Sequence, residues 1–205
     1  MKNSFPEIIL ASTSPYRKAL LDQIKLPFRS IAPQVDEAAL IKKNPHLSTE
    51  ELCKLLAKAK GQDIREKNPR SLIIASDQMV EMENEIYGKA KSMEEATKQL
   101  QKLQGKTHRI LTSLFISSPQ HGIFLHLETA FLTLRPLNLF QIQSYLEQDQ
   151  PMDCAGSYKL EKCGITLMKK IECRDSSAIV GLPIVALTNQ LLEWQYPLPF
   201  CYPSL

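Results

Sequence analysis

SLIIASDQMVEMENEIYGK, residues 71–89, is the stretch that decides the fold. Its apolar run, residues 71–76, is short, contains adjacent isoleucines and ends in a serine, which reads as a buried β-strand. Asp77 is expected just past the carboxyl end of that strand. An acid closing an apolar strand needs a partner or a function, because burying an unpaired charge is costly. Residues 79–82 and 85–88 then read as a hairpin turning at Glu83-Asn84, where Asn tolerates the left-handed backbone such turns require. A two-residue loop sets the register by counting outward. Met82 opposes Glu85 and Gln78 opposes Lys89, so an ammonium returns to the neighbourhood of Asp77.

Towards the N-terminus, residues 7–10 read as a short strand breaking into Ala11-Ser12-Thr13-Ser14-Pro15. Ser14 is a natural N-cap and Pro15 a natural first helical residue. Leu20, Leu21 and Ile24 give the helix that follows one apolar face. A second strand is expected over 28–32, then an acidic turn at Asp36-Glu37. Ser48-Thr49-Glu50-Glu51 is a capping box, continued by Leu52, Leu55, Leu56 and Ala59 as an amphipathic helix. Towards the C-terminus, Ser92-Met93-Glu94-Glu95 is a second capping box whose helix ends near Gly105. Residues 107–117 and 121–134 alternate as paired strands. Residues 138–147 read as a helix, 165–171 and 178–180 as strands, and 183–194 as a last helix. Together these predict a single α/β domain over residues 1–195 with a mixed sheet. The Pro-rich residues 196–205 read as a tail.

Composition narrows the class. With 43% hydrophobic and 23% charged residues the chain is of ordinary globular type. Its apolar runs are too short to cross a bilayer, and its first residues lack the apolar stretch of a secretion signal. A cytoplasmic location is therefore expected. Five cysteines without a C-x-x-C pair, and four histidines without ligand spacing, argue against a disulfide framework and a structural zinc site. Cys53 falls within an apolar helical pattern, where a free thiol acts as a small hydrophobe. A net charge of +3 suits small anionic ligands but is no nucleic-acid footprint. Neither a Walker motif nor G-x-G-x-x-G is present, so any phosphate site must work without a Gly-rich cradle.

Three segments join strand ends to charged or hydroxyl residues. Ser12, Ser14, Arg17 and Lys18 gather at a helix N-terminus, which favours anions; taken alone, they also describe an ordinary capped helix. Asp36-Glu37 and Ser76-Asp77-Gln78 bring carboxylates from two segments. Such carboxylates suit a hard divalent cation, or a base that accepts a proton from water. Gly156-Ser157-Tyr158-Lys159-Leu160-Glu161-Lys162, taken bare, is a charged loop.

Taken together, Ile9–Lys18, Ala32–Glu37, Ser76–Gln78, Gly88-Lys89, Ala155–Tyr158 with Glu161, and Val180–Pro183 resemble the Maf nucleotide pyrophosphatases, in order and spacing, from residue 8 to about residue 194. Tyr16 after Ser14-Pro15, Asp77-Gln78 and Glu161 are most similar to the 7-methyl-GTP pyrophosphatase subgroup. That subgroup more often has Trp where Tyr16 stands, and the family favours Pro at Ala90 and Gly at Lys162. The resemblance implies an elongated mixed sheet flanked by helices, with a cleft between two lobes, and frequent homodimers. It implies hydrolysis of a nucleoside triphosphate between the α- and β-phosphates. Glu37 and Asp77 would share a magnesium or manganese ion, with Asp77 the catalytic base. Ser12, Ser14, Arg17, Lys60 and Lys89 would hold the phosphates, and Tyr16, Gln78 and Glu161 would select the base. On composition alone Lys60 is an ordinary solvated lysine. A dTTP/UTP pyrophosphatase of the same family and a non-catalytic regulator of cell division are the alternative readings.

Overall fold

The computed structural model describes residues 5–198. A seven-stranded mixed sheet runs in the order β2 (Arg29–Ser30), β1 (Ile8–Leu10), β3 (Leu72–Met82), β5 (Thr107–Ser118), β6 (Gly122–Leu134) and β7 (Met168–Glu172), with β4 (Glu85–Tyr87) also paired to β3. β1 is parallel to β2 and β3, and every other pairing is antiparallel. The expected hairpin is present in register, with Val80 opposite Tyr87 and Met82 opposite Glu85. Both turn residues are left-handed, Glu83 at φ 55° and Asn84 at φ 65°, as a two-residue turn with strand-like twist demands.

β3 corrects the sequence reading. It does not stop before Asp77 but runs unbroken for 11 residues. The reason lies on β5, which pairs with β3 from Ile73 to Glu81 and places Ser113 opposite Asp77 and Thr112 opposite Gln78. The other edge of β3 is shared. β1 pairs with residues 72–74 and β4 with residues 80–82, which leaves the edge between them without a strand partner. This notch in the sheet separates the two lobes. One lobe packs α1 (Pro15–Gln23) and α7 (Ile184–Glu193) on Leu10, Leu72, Ile74 and Leu114. The other packs α4 (Met93–Leu103) and α5 (Leu139–Asp149) around Val80, Met82, Ile110 and Leu132.

α3 (Thr49–Lys67) crosses beneath the notch, started by the expected capping box at Ser48 and Glu51. Its buried stripe is rotated from the expected one. Leu52 and Leu56 are buried, whereas Leu55 and Ala59 are half-covered, and Cys53, Ala57, Lys60, Gly61 and Ile64 complete the covered face. Small residues draw this helix onto the sheet. A Cβ on Gly61 would collide with the Phe115 ring, so only glycine permits the approach.

Four other expectations change. The acidic turn at residues 36–37 opens a helix, α2 (Glu37–Lys43), capped by the Asp36 carboxylate on the Ala39 N–H at 2.9 Å. Residues 178–180 are not a strand but the end of α6 (Ser176–Val180), capped by Asp175. The strand expected from residue 165 begins only at Met168, after a 3₁₀ segment over Cys163–Leu167. Of the expected tail, Tyr196 and Leu198 are buried in the α1–α7 core, so the core continues past residue 195. Residues 199–205 lie outside the described residues.

Candidate active site

The notch opens into a cleft of about 530 Å³, which joins a recess of about 310 Å³ through shared lining residues. Each wall follows from the topology. β1 ends at Leu10, and its chain turns through Ser12 and Ser14 into the N-terminus of α1. Ser14 caps that helix by accepting the Arg17 N–H at 3.4 Å, as expected. Ser12 Oγ accepts from the Ser14 N–H at 3.1 Å and from Arg17 Nη1 at 3.4 Å. Arg17 is anchored in turn, its Nε donating to the Gly181 carbonyl at 2.9 Å. Ser76 Oγ donates to the same carbonyl at 2.8 Å, so the Val180–Pro183 motif ties α1 to β3.

Asp77 and Gln78 are successive strand residues and therefore face opposite sides of the sheet. Asp77 points towards α3, where Lys60 Nζ lies 2.5 Å from Asp77 Oδ1 and 3.0 Å from Glu37 Oε1. The side chains of Lys60 and Asp77 are 10% and 7% exposed, and that of Glu37 is 47% exposed. Lys60 is thus the reverse of a solvated lysine. It stands on the helical stripe Cys53-Ala57-Lys60-Ile64, a spacing that could have shown it as inward-facing but that the apolar pattern read from Leu52, Leu55, Leu56 and Ala59 did not include. Burial pushes the Asp77 carboxyl above the ordinary range, against the pull of Lys60 and Arg17.

Gln78 faces α6. Its Nε2 donates to the Ala178 and Ile179 carbonyls, both at 2.9 Å, and Thr112 Oγ1 donates to Ala178 O at 2.8 Å. Two carbonyl acceptors fix which end of the amide is the donor. The amide oxygen is left as the group Gln78 offers to the cleft.

Lys89 reaches the same cleft by a different route from the expected one. The hairpin pairing ends at Tyr87, and Lys89 instead bridges Ala155 in a short antiparallel contact. It is exposed, and lines both the cleft and the recess. Glu161 is exposed at the far side of the cleft. Tyr16, in the first turn of α1, closes across to that side by donating its phenol to Asp153 Oδ2 at 2.8 Å. Asp153 and Thr112 escaped the reading of the sequence, since each acts through contacts with distant segments.

Two cysteines near the site are not nucleophiles in this setting. Burial pushes the Cys53 thiol up to about 12, and its Sγ lies 3.4 Å from the carbonyls of Asp77 and Leu111, which share its single S–H. Burial, helped by Asp153, pushes Cys154 up to about 11. Both stay protonated at neutral pH.

Among the described residues, no three His, Cys, Asp or Glu side chains gather as a metal cage. What does converge is one oxygen each from Asp77 and Glu37 on a single cationic nitrogen, that of Lys60. Two hard carboxylate ligands in a cleft open to phosphates and water suit magnesium-like ions, which dehydrate reluctantly and take few protein ligands.

The fold and site together define an α/β protein with a split sheet, whose notch sets acids and cations around a pocket sized for a phosphorylated small molecule. The chain belongs to the Maf-like protein family, whose model matches residues 7–194. It is 39% identical to the 7-methyl-GTP pyrophosphatase of Hydrogenovibrio crunogenus over 95% of this chain and 96% of that one. It is 36% identical to the 7-methyl-GTP pyrophosphatase of Pseudomonas aeruginosa over 95% of this chain and all of that one. Among solved structures, the Staphylococcus aureus Ham1 protein matches 92% of this chain and 99% of its own at 18% identity, with a TM-score of 0.47.

Proposed function

We propose that this protein hydrolyses 7-methyl-GTP between its α- and β-phosphates, giving the nucleoside monophosphate and pyrophosphate and keeping the modified nucleotide out of nucleic acid. The observation that carries the reading is Asp77, a buried carboxylate at the unpaired edge of β3, with Lys60 on one of its oxygens and Arg17 close enough to pull on its charge. In this reading the triphosphate lies along the recess. Ser12, Ser14, Arg17, Lys60 and Lys89 bind its oxygens and offset the charge that builds on the leaving pyrophosphate. Asp77 accepts the proton of the attacking water as the new oxygen–phosphorus bond forms and the bond to the bridging oxygen breaks. Burial disfavours the ionised form of Asp77, and Lys60 opposes that by favouring the carboxylate the base must be. Glu37 and Asp77 would hold a magnesium or manganese ion, which when bound supplies charge neutralisation at the phosphates.

Base selection follows from acceptors. Gln78, its amide hydrogens committed to α6, and Glu161 both present oxygens to the cleft, and guanine offers N–H groups on its N1–N2 edge. Methylation at N7 makes the ring cationic, and Tyr16 supplies an aromatic face on which a cation gains about 0.5–2 kcal/mol. The relatives named above are both called 7-methyl-GTP pyrophosphatases, which favours this reading over a dTTP/UTP enzyme or a cell-division regulator. No helix among the described residues is long and apolar enough to cross a membrane. A cytoplasmic homodimer belongs to the same proposal, with no stable nucleic-acid partner.

The test is pyrophosphate release from a panel of 7-methyl-GTP, GTP, dTTP and UTP with magnesium or manganese, using wild type and Asp77→Asn. The expected order is 7-methyl-GTP first and the pyrimidines last. Folded Asp77→Asn should lose about 10²–10⁴-fold in turnover. A preference for dTTP or UTP, or a folded and fully active Asp77→Asn protein, overturns the proposal.

A further inference from the structure

One contact at the cleft is not accounted for by phosphate binding or by proton transfer. The Tyr16 phenol donates to Asp153 Oδ2 at 2.8 Å, linking the first turn of α1 to a loop 137 residues away. The other oxygen of the same carboxylate lies 2.7 Å from Lys159 Nζ. The Lys159 side chain is 9% exposed and that of Asp153 is 50% exposed, so a buried ammonium grips a carboxylate that stands at the rim. Lys159 is itself fixed. Its backbone N–H donates to the Tyr145 hydroxyl at 2.8 Å, and its Nζ also reaches the Gln150 carbonyl at 3.4 Å. The chain Tyr145–Lys159–Asp153–Tyr16 therefore runs from the core of the α4–α5 lobe to an aromatic ring on the opposite lobe.

From this geometry we infer that Asp153 is a positioning residue for base selection: it fixes the Tyr16 ring across the cleft and makes that ring a better partner for a cationic base. The inference rests on the reading that Tyr16 meets the base. Two physical effects carry it. The first is orientation. A tyrosine in a helix's first turn can occupy more than one staggered rotamer, and a hydrogen bond at its far end selects one before the ligand arrives. The second is electronic. A phenol that donates its proton to a carboxylate has a more electron-rich ring, which deepens the attraction of its face for a cation. Neutral guanine gains from the first effect only, whereas 7-methylguanine gains from both.

Charges agree with this arrangement. Although partial burial pushes the Asp153 carboxyl up, the bonds from Lys159 and Tyr16 together hold it below the ordinary carboxylate range. The phenol is pushed up by burial and by Asp153, so it remains the donor throughout the neutral range. Asp153 also borders both the cleft and the recess.

The experiment measures kcat and KM for 7-methyl-GTP and for GTP in the full chain, with wild type, Tyr16→Phe, Asp153→Ala, Asp153→Asn and the double variant Tyr16→Phe/Asp153→Ala. Tyr16→Phe keeps the ring and removes the bond. It should lower the ratio of kcat/KM for 7-methyl-GTP to that for GTP by about 1.5- to 2-fold, a fraction of an exposed cation–π contact, because the Phe ring keeps its face. Asp153→Ala should lower it equally, with the loss falling on KM more than on kcat. The double variant should be no worse than either single one, because both remove one interaction. Asp153→Asn keeps an acceptor for the phenol and should retain more of the ratio than Asp153→Ala.

An unchanged ratio in Tyr16→Phe overturns the inference, and so do multiplying effects in the double variant. Equal loss of kcat on both substrates in Asp153→Ala would mark Asp153 as structural and also overturn it. Should Asp153→Ala fail to fold, Tyr16→Phe and Asp153→Asn decide the matter alone. A wild-type protein with no preference for 7-methyl-GTP overturns the substrate reading instead. The Tyr16–Asp153 coupling is then read as non-additivity in KM for whichever triphosphate is turned over, and additive effects there overturn the inference as well.

Discussion

Replacing Lys60 by methionine removes the ammonium between Asp77 and Glu37 but keeps an unbranched side chain of similar length in the buried stripe of α3. In metal-free buffer the consequence falls on Asp77, whose side chain is only 7% exposed. Burial already raises its carboxyl above the ordinary 3.8, and losing Lys60 raises it further. The sign follows from linkage. A carboxyl raised on folding binds its proton more tightly in the folded state, so it destabilises the fold increasingly as pH climbs above 3.8 and levels off beyond the folded value. Protonation caps the penalty. Keeping Asp77 neutral at pH 7 costs at most about 4.4 kcal/mol, and at pH 5 at most about 1.6 kcal/mol. Breaking a buried pair by removing one partner typically costs about 3–5 kcal/mol, so the cap governs. Lys60→Met is therefore expected to lose about 2–4 kcal/mol relative to wild type at pH 7 and clearly less at pH 5. Urea unfolding of both proteins with EDTA at the two pH values measures this. An equal loss at pH 5 and pH 7, or a variant more stable than wild type at pH 7, would refute the claim that Lys60 favours the ionised form of Asp77.

Other substitutions test separate parts of the structure. Lys89→Ala should raise KM for the triphosphate and lower turnover, most clearly at low salt, where screening of an exposed cation is weakest; unchanged kinetics at low ionic strength would remove Lys89 from the phosphate site. Gly61→Ala places a methyl against the Phe115 ring and should cost about 1–3 kcal/mol in a urea titration, as overpacking does. A neutral result would mean that α3 can move away from β5 without penalty.

What the sequence alone determined was whatever depends on neighbours a few residues apart. The Ser14 cap with Pro15 behind it, the capping box at Ser48 and the left-handed pair Glu83-Asn84 are each complete within four residues, and each appears where expected. The family motifs were legible too, because they are strings of residue types. Tertiary structure decided the rest. Residues 71–76 carry no sign that β3 continues through Asp77, since that continuity comes from β5, more than thirty residues further on. Residues 178–180 have strand-like composition but form the end of a helix, because Asp175 caps its start. Counting along the hairpin put Lys89 opposite Gln78, but a bridge to Ala155 diverts it. The site as a whole exists only because β1 and β4 share one edge of β3 and leave a notch between them. Buried charge is stable only where its partners are, and the partners of Asp77, Gln78 and Tyr16 stand 17, 100 and 137 residues away. No local pattern encodes such pairings, because the chain brings those groups together only when its strands and helices have packed.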